Sequence, residues 1–450
     1  MAELSIPCGD QAQTIELPEN WTVQQVAAPN VAPARKDWPQ HLATALARPE
    51  DSAPLEKLLA PCRNGRVVLV VEDATRHSPL QRILEVIFRE LKHAKIPDEN
   101  VEIVLATGMH PAPSAEQVAE KIGPDLARRI AWRPNPWADR DAYASVGVVH
   151  DRAARLEAWI DRAVASADLR ILVSSVSPHL QAGFGGGYKM LLPGCARLDS
   201  IRQLHLSALP RRATQQVGQA ASANRMRRLI DAAGAAVDEA GGVSFGVQYV
   251  LDADDAPAAI AAGSVTACQR MLAKQCASAY GVLIDAPADV VIANAYPRDW
   301  DLWQSFKAIA NTCWALRDNG VLICLTRCPA GANMPTVKLP IKPRWIRSAV
   351  RLFGASALAG LLTRLAPGLA GDAAFFARLA LQILQRNTVL MVCPHLVEAG
   401  EGMLGLPLFA TAAEAVAAAE AALGTGPKRL TVFPAAGVTY PITQPQRITP

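Results

Sequence analysis

The sequence lacks most of the features that would sort it at a glance. Aromatic residues are scarce, at 5% of 450 positions, and charged residues make up 19%. Neither charge sign dominates: 45 Lys and Arg against 41 Asp and Glu leave a net +4. That balance, scattered along the chain, gives no reason to expect nucleic acid or a membrane as partner. The nine cysteines include no C-x-x-C pair and are odd in number. They are expected to be buried, reduced thiols of a cytoplasmic protein. No apolar run approaches the ~18 residues that span a bilayer. The most suspect one, Leu352 to Thr363, is closed by Arg351 and Arg364. The first residues carry Glu3 and Asp10 and no apolar core of a leader, so no signal peptide is expected. No internal repeat and no low-complexity tract is present. What remains is a half-hydrophobic globular chain, long enough to bury a large core without disulfides. Its length allows three units or two larger ones.

Residues 1–60 are Pro-rich and weakly periodic, and are expected to form an irregular or short-stranded leader. Regular alternation then begins. Val67 to Val71 is a continuous β-branched run, the pattern of a buried parallel strand. Helical spacing follows over Leu80 to Leu91, and a second strand over Val101 to Ala106. Ser114 and Gln117 form a capping box that starts a helix. Strands are predicted at Leu169–Ser174 and Val243–Leu251, with a helix at Asn224–Ala240 between them. A second series comprises strands at Val290–Ala293, Val321–Leu325, Val389–Cys393 and Leu430–Phe433. Its helices are predicted at Asp301–Asn319, stopped by Gly320, and at Thr411–Leu423. This is an α/β chain with mostly parallel sheets. It divides into an N-terminal domain over 1–270 and a C-terminal domain over 271–450, the latter with an Arg- and Leu-rich helical insertion at about 335–385.

Ligands of open α/β sheets sit beyond the carboxyl ends of strands. Four polar clusters fall there: Glu72-Asp73-Ala74-Thr75-Arg76, Thr107-Gly108-Met109-His110-Pro111, Ser177-Pro178-His179 with Gly183 to Lys189, and Tyr296 to Asp299 with Gln304 and Lys307 beyond. Singly, each has an ordinary use. Asp73 suits a helix cap, a lone histidine suits a structural hydrogen bond, and Gln304 and Lys307 suit a solvated helix face. The glycine loop is neither a Walker A loop nor G-x-G-x-x-G, because Tyr188 separates Gly187 from Lys189 and Met190 follows. Four glycines in five positions let backbone amides approach an anion. Jointly the clusters supply two histidines, two lysines and Arg76, a set able to bind an anion and move protons. His205, in the helix predicted after the loop, adds one metal ligand. One histidine is too few for a metal site made by protein alone, so any metal needs ligands from a cofactor.

These motifs, D-A-T-R at Asp73–Arg76, T-G-M-H-P at Thr107–Pro111, S-P-H at Ser177–His179, A-G-F-G-G-G-Y-K at Ala182–Lys189, P-G at Pro193–Gly194, His205 and Q-S-F-K at Gln304–Lys307, occur in this order over most of residues 66–330. In them the chain resembles the nickel-dependent lactate racemase family of 2-hydroxy-acid racemases and epimerases. The resemblance implies two α/β domains with the active site in the cleft between them. It also implies a nickel-pincer nucleotide, a pyridinium mononucleotide carrying nickel, made by separate cofactor-synthesis enzymes. Lys189 would be joined covalently to it, His205 would ligate nickel, and Asp73, Ala74, Thr75 and Arg76 would contact the cofactor. His110 and His179 would be the acid/base pair. Arg76, Gln304 and Lys307 would hold the substrate, a small 2-hydroxy-acid anion.

The chemistry agrees with that reading. The α-hydrogen of a hydroxy acid is a poor acid and leaves more readily as hydride if a base takes the hydroxyl proton. The planar keto acid can then be reduced on either face. Two bases suit two hydroxyl orientations, and cations hold the intermediate. Three departures stand out. His77 replaces a usual proline, Gly186 stands where a serine is common, and Trp303 precedes Gln304 where lactate-specific members tend to carry tyrosine. The last points away from lactate itself. The insertion has no counterpart in the resemblance, and shaping the pocket or making an oligomer contact are the uses left open. Two alternatives remain. An NAD-type oxidoreductase is disfavoured by the missing dinucleotide fingerprint. A non-catalytic hydroxy-acid binding protein is disfavoured by its needless pair of histidines.

Overall fold

The computed structural model describes residues 2–8, 11–73, 76–151, 154–209, 214–332, 343–365, 372–399 and 406–443. Two compact units emerge. One comprises residues 31–208 and 219–279; the other comprises 1–30, 209–218 and 280–450. Both are α/β.

In the first unit the run Val67–Val71 is a strand with every residue buried. A strand whose residues all favour burial needs a layer on each face, and it has them. Val67, Leu69 and Val71 pack with Ile83, Leu84 and Ile87 of the helix Leu80–His93 on one side. Val68 and Val70 pack with Leu229, Ile230 and Ala233 of the helix Arg225–Ala240 on the other. Each fully buried aliphatic side chain of this kind contributes ~1.5–3 kcal/mol. The sheet runs Pro257–Gly263, Val243–Leu251, Leu169–Ser175, Val67–Val71, Val101–Leu105, Ala131–Pro134 in space. Only the Pro257–Gly263 edge is antiparallel. The capping box forms as expected, with Ser114 accepting from the Gln117 amide and the Gln117 side chain returning to Ser114. Asn224 caps the helix at Arg225.

The second unit holds a six-stranded sheet in the order Leu408–Phe409, Thr388–Val392, Leu316–Leu325, Ala288–Asn294, Lys428–Phe433, Trp21–Val26, parallel throughout. The N-terminal segment is therefore more than a leader. Its strands Ala2–Cys8 and Gln11–Leu17 form a hairpin, and Trp21–Val26 adds the sheet's last strand. A cut by contiguous sequence at 270/271 differs from this division in two ways. The first thirty residues and 209–218 group with the C-terminal portion, and the chain changes units at 279/280.

One helix is shorter than its pattern. Asp301 caps it, accepting the Gln304 amide at 2.6 Å, but it ends at Thr312 instead of Asn319. A 3-10 turn spans Cys313–Ala315, and the strand begins at Leu316, paired with Ala288. Sheet pairing overrides the helical spacing of Trp314 and Leu316. The insertion supplies three helices, Pro343–Phe353, Ala355–Leu365 and Asp372–Arg386. Among the described residues the eight free cysteines are all buried.

Candidate active site

In the first unit three neighbouring parallel strands, Leu169–Ser175, Val67–Val71 and Val101–Leu105, bring their carboxyl-end loops side by side. After Val71 the chain places Glu72 and Asp73 in the interior. Glu72 is a fixed anchor. Its Oε2 accepts the Ser175 amide at 3.0 Å and hydroxyl at 2.9 Å, and its Oε1 accepts the Tyr249 hydroxyl at 3.0 Å. Lys121, from the end of the capped helix, donates to the Arg76 carbonyl and, at 3.2 Å, to the Ser78 carbonyl. The loop carrying Asp73 and Arg76 is thus tied down at both ends. Arg76 is half-buried; Ala74 and Thr75 lie outside the described residues.

Asp73 Oδ2 stands 2.7 Å from His110 Nδ1. A carboxylate only accepts, so Nδ1 carries the proton and Nε2 is left as the basic nitrogen. The His110 loop is braced from behind. Asn135 donates to the Gly108 and Ala196 carbonyls at 2.8 and 3.0 Å, and accepts the Tyr143 hydroxyl at 2.9 Å. His179 is held differently. Its Nδ1 accepts the backbone amides of Gln181 at 3.2 Å and Ala182 at 3.0 Å. With that lone pair engaged, the neutral ring carries its proton on Nε2.

The glycine loop follows. Gly186 and Gly187 both have positive φ, 71° and 66°, which glycine alone adopts readily. Its carbonyls face Arg227, a fully buried guanidinium that donates to Gly186 at 3.1 Å and Gly185 at 3.3 Å, and also to Phe184. Gln269 adds a bond to the Gly185 carbonyl at 3.2 Å. Lys189 ends the loop, half-buried. Burial, with the Arg76 and Arg227 cations nearby, lowers its pKa to about 7 against the pull of Asp73. An amine near pH 7 is largely available as a nucleophile, which an ordinary lysine is not.

His205 lies on the helix Leu198–Ala208, whose Ile201 and Leu204 pack into the core. Burial, Lys189 and His110 push its pKa down to about 4, so it is a neutral imidazole at physiological pH, the form that ligates metals. Lys189 and His110 act on His205, and Arg76, Arg227 and Asp73 act on Lys189, so these groups share one electrostatic neighbourhood. Gln304 and Lys307 lie in the other unit, on the helix Leu302–Thr312. Lys307 donates to the Gln304 side-chain carbonyl, so the two share a face as their spacing requires. Among the described residues no group of three His, Cys, Asp or Glu is placed to hold a metal by itself.

Sequence reasoning passed over Glu72 as an anchor, and Lys121, Arg227 and Tyr249 altogether. Lys121 and Arg227 read as ordinary helix-surface charges, because nothing local marks a cation whose partners are backbone carbonyls about forty residues away. The run of glycines is the one hint that the loop's carbonyls, of which Phe184, Gly185 and Gly186 meet Arg227, need a donor from elsewhere.

Residues 8–216 match the family model described as the lactate racemase N-terminal domain. A lactate racemase from Thermoanaerobacterium thermosaccharolyticum is 26% identical over 337 residues, 74% of this chain and 76% of that protein. A lactate racemase from Lactiplantibacillus plantarum is 25% identical over 281 residues, 62% of this chain and 63% of that protein. Among solved structures, the lactate racemase apoprotein from T. thermosaccharolyticum superposes with a TM-score of 0.81 at 20% identity, over 98% of this chain and all of that one. A Thermotoga maritima protein superposes with a TM-score of 0.58 at 15% identity, over 87% of this chain and 98% of that one. At these identities the superpositions speak for the fold, and the sequence matches carry the descent. The chain thus carries a match to the lactate racemase N-terminal domain over residues 8–216 and is similar to a lactate racemase over about three quarters of its length.

Proposed function

We propose that this protein racemises or epimerises a 2-hydroxy acid, using a nickel-pincer nucleotide joined to Lys189. The observation that carries the reading is the grouping around the glycine loop: a lysine lowered to about 7, a neutral histidine lowered to about 4, and a carboxylate–imidazole pair 2.7 Å apart. The residues present fit such a group. Lys189 has the nucleophilicity to be acylated, His205 has the protonation state of a metal ligand, and the lack of a protein-only metal cluster among the described residues suits a metal whose other ligands come with the nucleotide. When bound, the group would supply a reversible acceptor for the hydrogen on C2.

The chain's own residues do the rest. Asp73 holds the His110 ring with Nε2 as base, so His110 takes the substrate hydroxyl proton, a contribution of ~10²–10⁴-fold. His179, with its proton on Nε2, hydrogen-bonds to the substrate oxygen, and His110 returns the proton to that oxygen as the keto acid is reduced. Arg76 offsets carboxylate charge. The resemblance in Q-S-F-K assigns Gln304 and Lys307 to substrate binding as well. Ala74 and Thr75 would join Asp73 and Arg76 in holding the nucleotide. The relatives named above are lactate racemases; here Trp303 favours a 2-hydroxy acid with a larger or more apolar side chain.

The test is to produce the full chain together with cofactor-synthesis enzymes, then measure intact mass, nickel content and loss of optical purity on single-enantiomer hydroxy acids, lactate included. A mass increase mapped to Lys189, copurifying nickel and racemisation are expected, all lost in Lys189→Arg. Racemisation by protein with unmodified Lys189 would sink the proposal. Lactate as the best substrate would remove the argument from Trp303.

A further inference from the structure

The nearly neutral total charge conceals a local excess. Between Pro343 and Arg386 the sequence holds six arginines and a single acid, Asp372, an excess that alone exceeds the whole chain's +4. The same segment exposes large apolar side chains. On the helix Pro343–Phe353, Ile346 and Val350 face inward at 2% and 0% exposure. Trp345 and Leu352, seven residues apart and hence on one face, are 56% and 77% exposed, with Phe353 at 64% beside them. On the helix Ala355–Leu365, Leu358 and Leu362 are buried while Leu361 and Leu365 are about half exposed. Both helices are therefore amphipathic twice over: one apolar stripe fills the core and a second points away from it. Arg351 and Arg364 flank the outer stripes and are exposed. Arg347 lies one turn before Arg351, and burial together with that second guanidinium lowers its pKa. Among the described residues none of Arg347, Arg351 and Arg364 is paired with a carboxylate.

We propose that these two helices seat the protein on an anionic lipid surface. Exposed Trp, Phe and Leu interleaved with arginine that no carboxylate neutralises is the composition of interfacial helices, whose rings enter the headgroup region while guanidinium groups meet phosphate. An anionic surface would also relieve the repulsion between Arg347 and Arg351. A second copy of this chain would bring the exposed Arg351 and Arg364 against their own counterparts, so charge disfavours self-association through this face. Geometry favours lying over crossing. Among the described residues no single helix is long and apolar enough to cross a membrane, and Trp345–Phe353 and Ala355–Leu362 are bent by 118° at Gly354.

The experiment floats the full chain with vesicles of phosphatidylcholine alone or mixed with phosphatidylglycerol. Binding to the mixed vesicles only, lost at high salt, is expected. Arg351→Glu/Arg364→Glu should weaken it more than tenfold, since each arginine near such a surface is worth roughly fivefold. Trp345→Ser/Leu352→Ser/Phe353→Ser should abolish it. All five positions are exposed, and an unchanged unfolding midpoint will show that the variants fold. Flotation that survives the apolar triple variant overturns the proposal. So does absence of flotation from either vesicle, and so does a change in sedimentation from dimer to monomer in the triple variant without vesicle binding, which would make the face an interface between copies.

Discussion

A histidine bonded through Nδ1 to a carboxylate and one bonded through Nδ1 to backbone amides keep their protons on opposite nitrogens. His110 and His179 differ in this way. Their presence in T-G-M-H-P and S-P-H is legible in the sequence, as is Asp73 in D-A-T-R. Their inequality is not, because it depends on a contact across thirty-seven residues and on the turn after His179. Selective nitrogen-15 labelling of histidine in the full chain should report Nδ1–H for His110 and Nε2–H for His179 in their neutral forms. In Asp73→Asn the amide can donate to Nδ1, so His110 should switch tautomer and the loaded enzyme should lose ~10²–10⁴-fold in rate. Identical tautomers at the two rings would remove the assignment of His110 as base and His179 as donor.

At the scale of elements, short-range rules located what short-range physics determines. The all-apolar run Val67–Val71 is a central strand, the Ser114 box opens its helix, and Val243–Leu251 has the expected limits. The helical spacing over Asp301–Asn319 runs past the helix's end at Thr312, since parallel pairing with Ala288–Asn294 is invisible to local periodicity. The glycine loop shows the same division. Its glycines mark a tight, amide-rich turn, but its shape rests on Arg227, about forty residues downstream. Arg227→Met should take the guanidinium donors away from the carbonyls of Phe184, Gly185 and Gly186 in the interior and destabilise the chain by about 2–4 kcal/mol, read by chemical denaturation. Arg227→Lys keeps the charge but not the fork, and should fold while attaching less cofactor at Lys189, read by intact mass. Normal attachment in both variants would show that the loop holds its shape without this guanidinium.

The largest error of a contiguous reading concerns the whole molecule. A weakly periodic, Pro-rich start looks like a leader because its partner strand lies at the far end of the chain. Gln24 reaches Thr431 across 407 residues, its amide donating to the hydroxyl at 2.9 Å. Trp21, 4% exposed, packs in the apolar cluster of Val290, Ile292, Leu430 and Val432 with Ile6, Ile15 and Leu17. The second unit's sheet therefore lacks its last strand until both ends of the chain exist, whereas the first unit is complete by residue 279. Pairings of such separation form late, because their loop-closure cost comes before any contact repays it. Trp21→Ala should remove about 3–5 kcal/mol, the range for a truncated buried aromatic. The loss should be local if the two compact units are also units of unfolding. Hydrogen exchange should then accelerate at Lys428–Phe433 and Ala288–Asn294 while Val67–Val71 and Leu169–Ser175 keep their protection. Equal acceleration in both sheets would mean that the chain unfolds as one body despite its two cores.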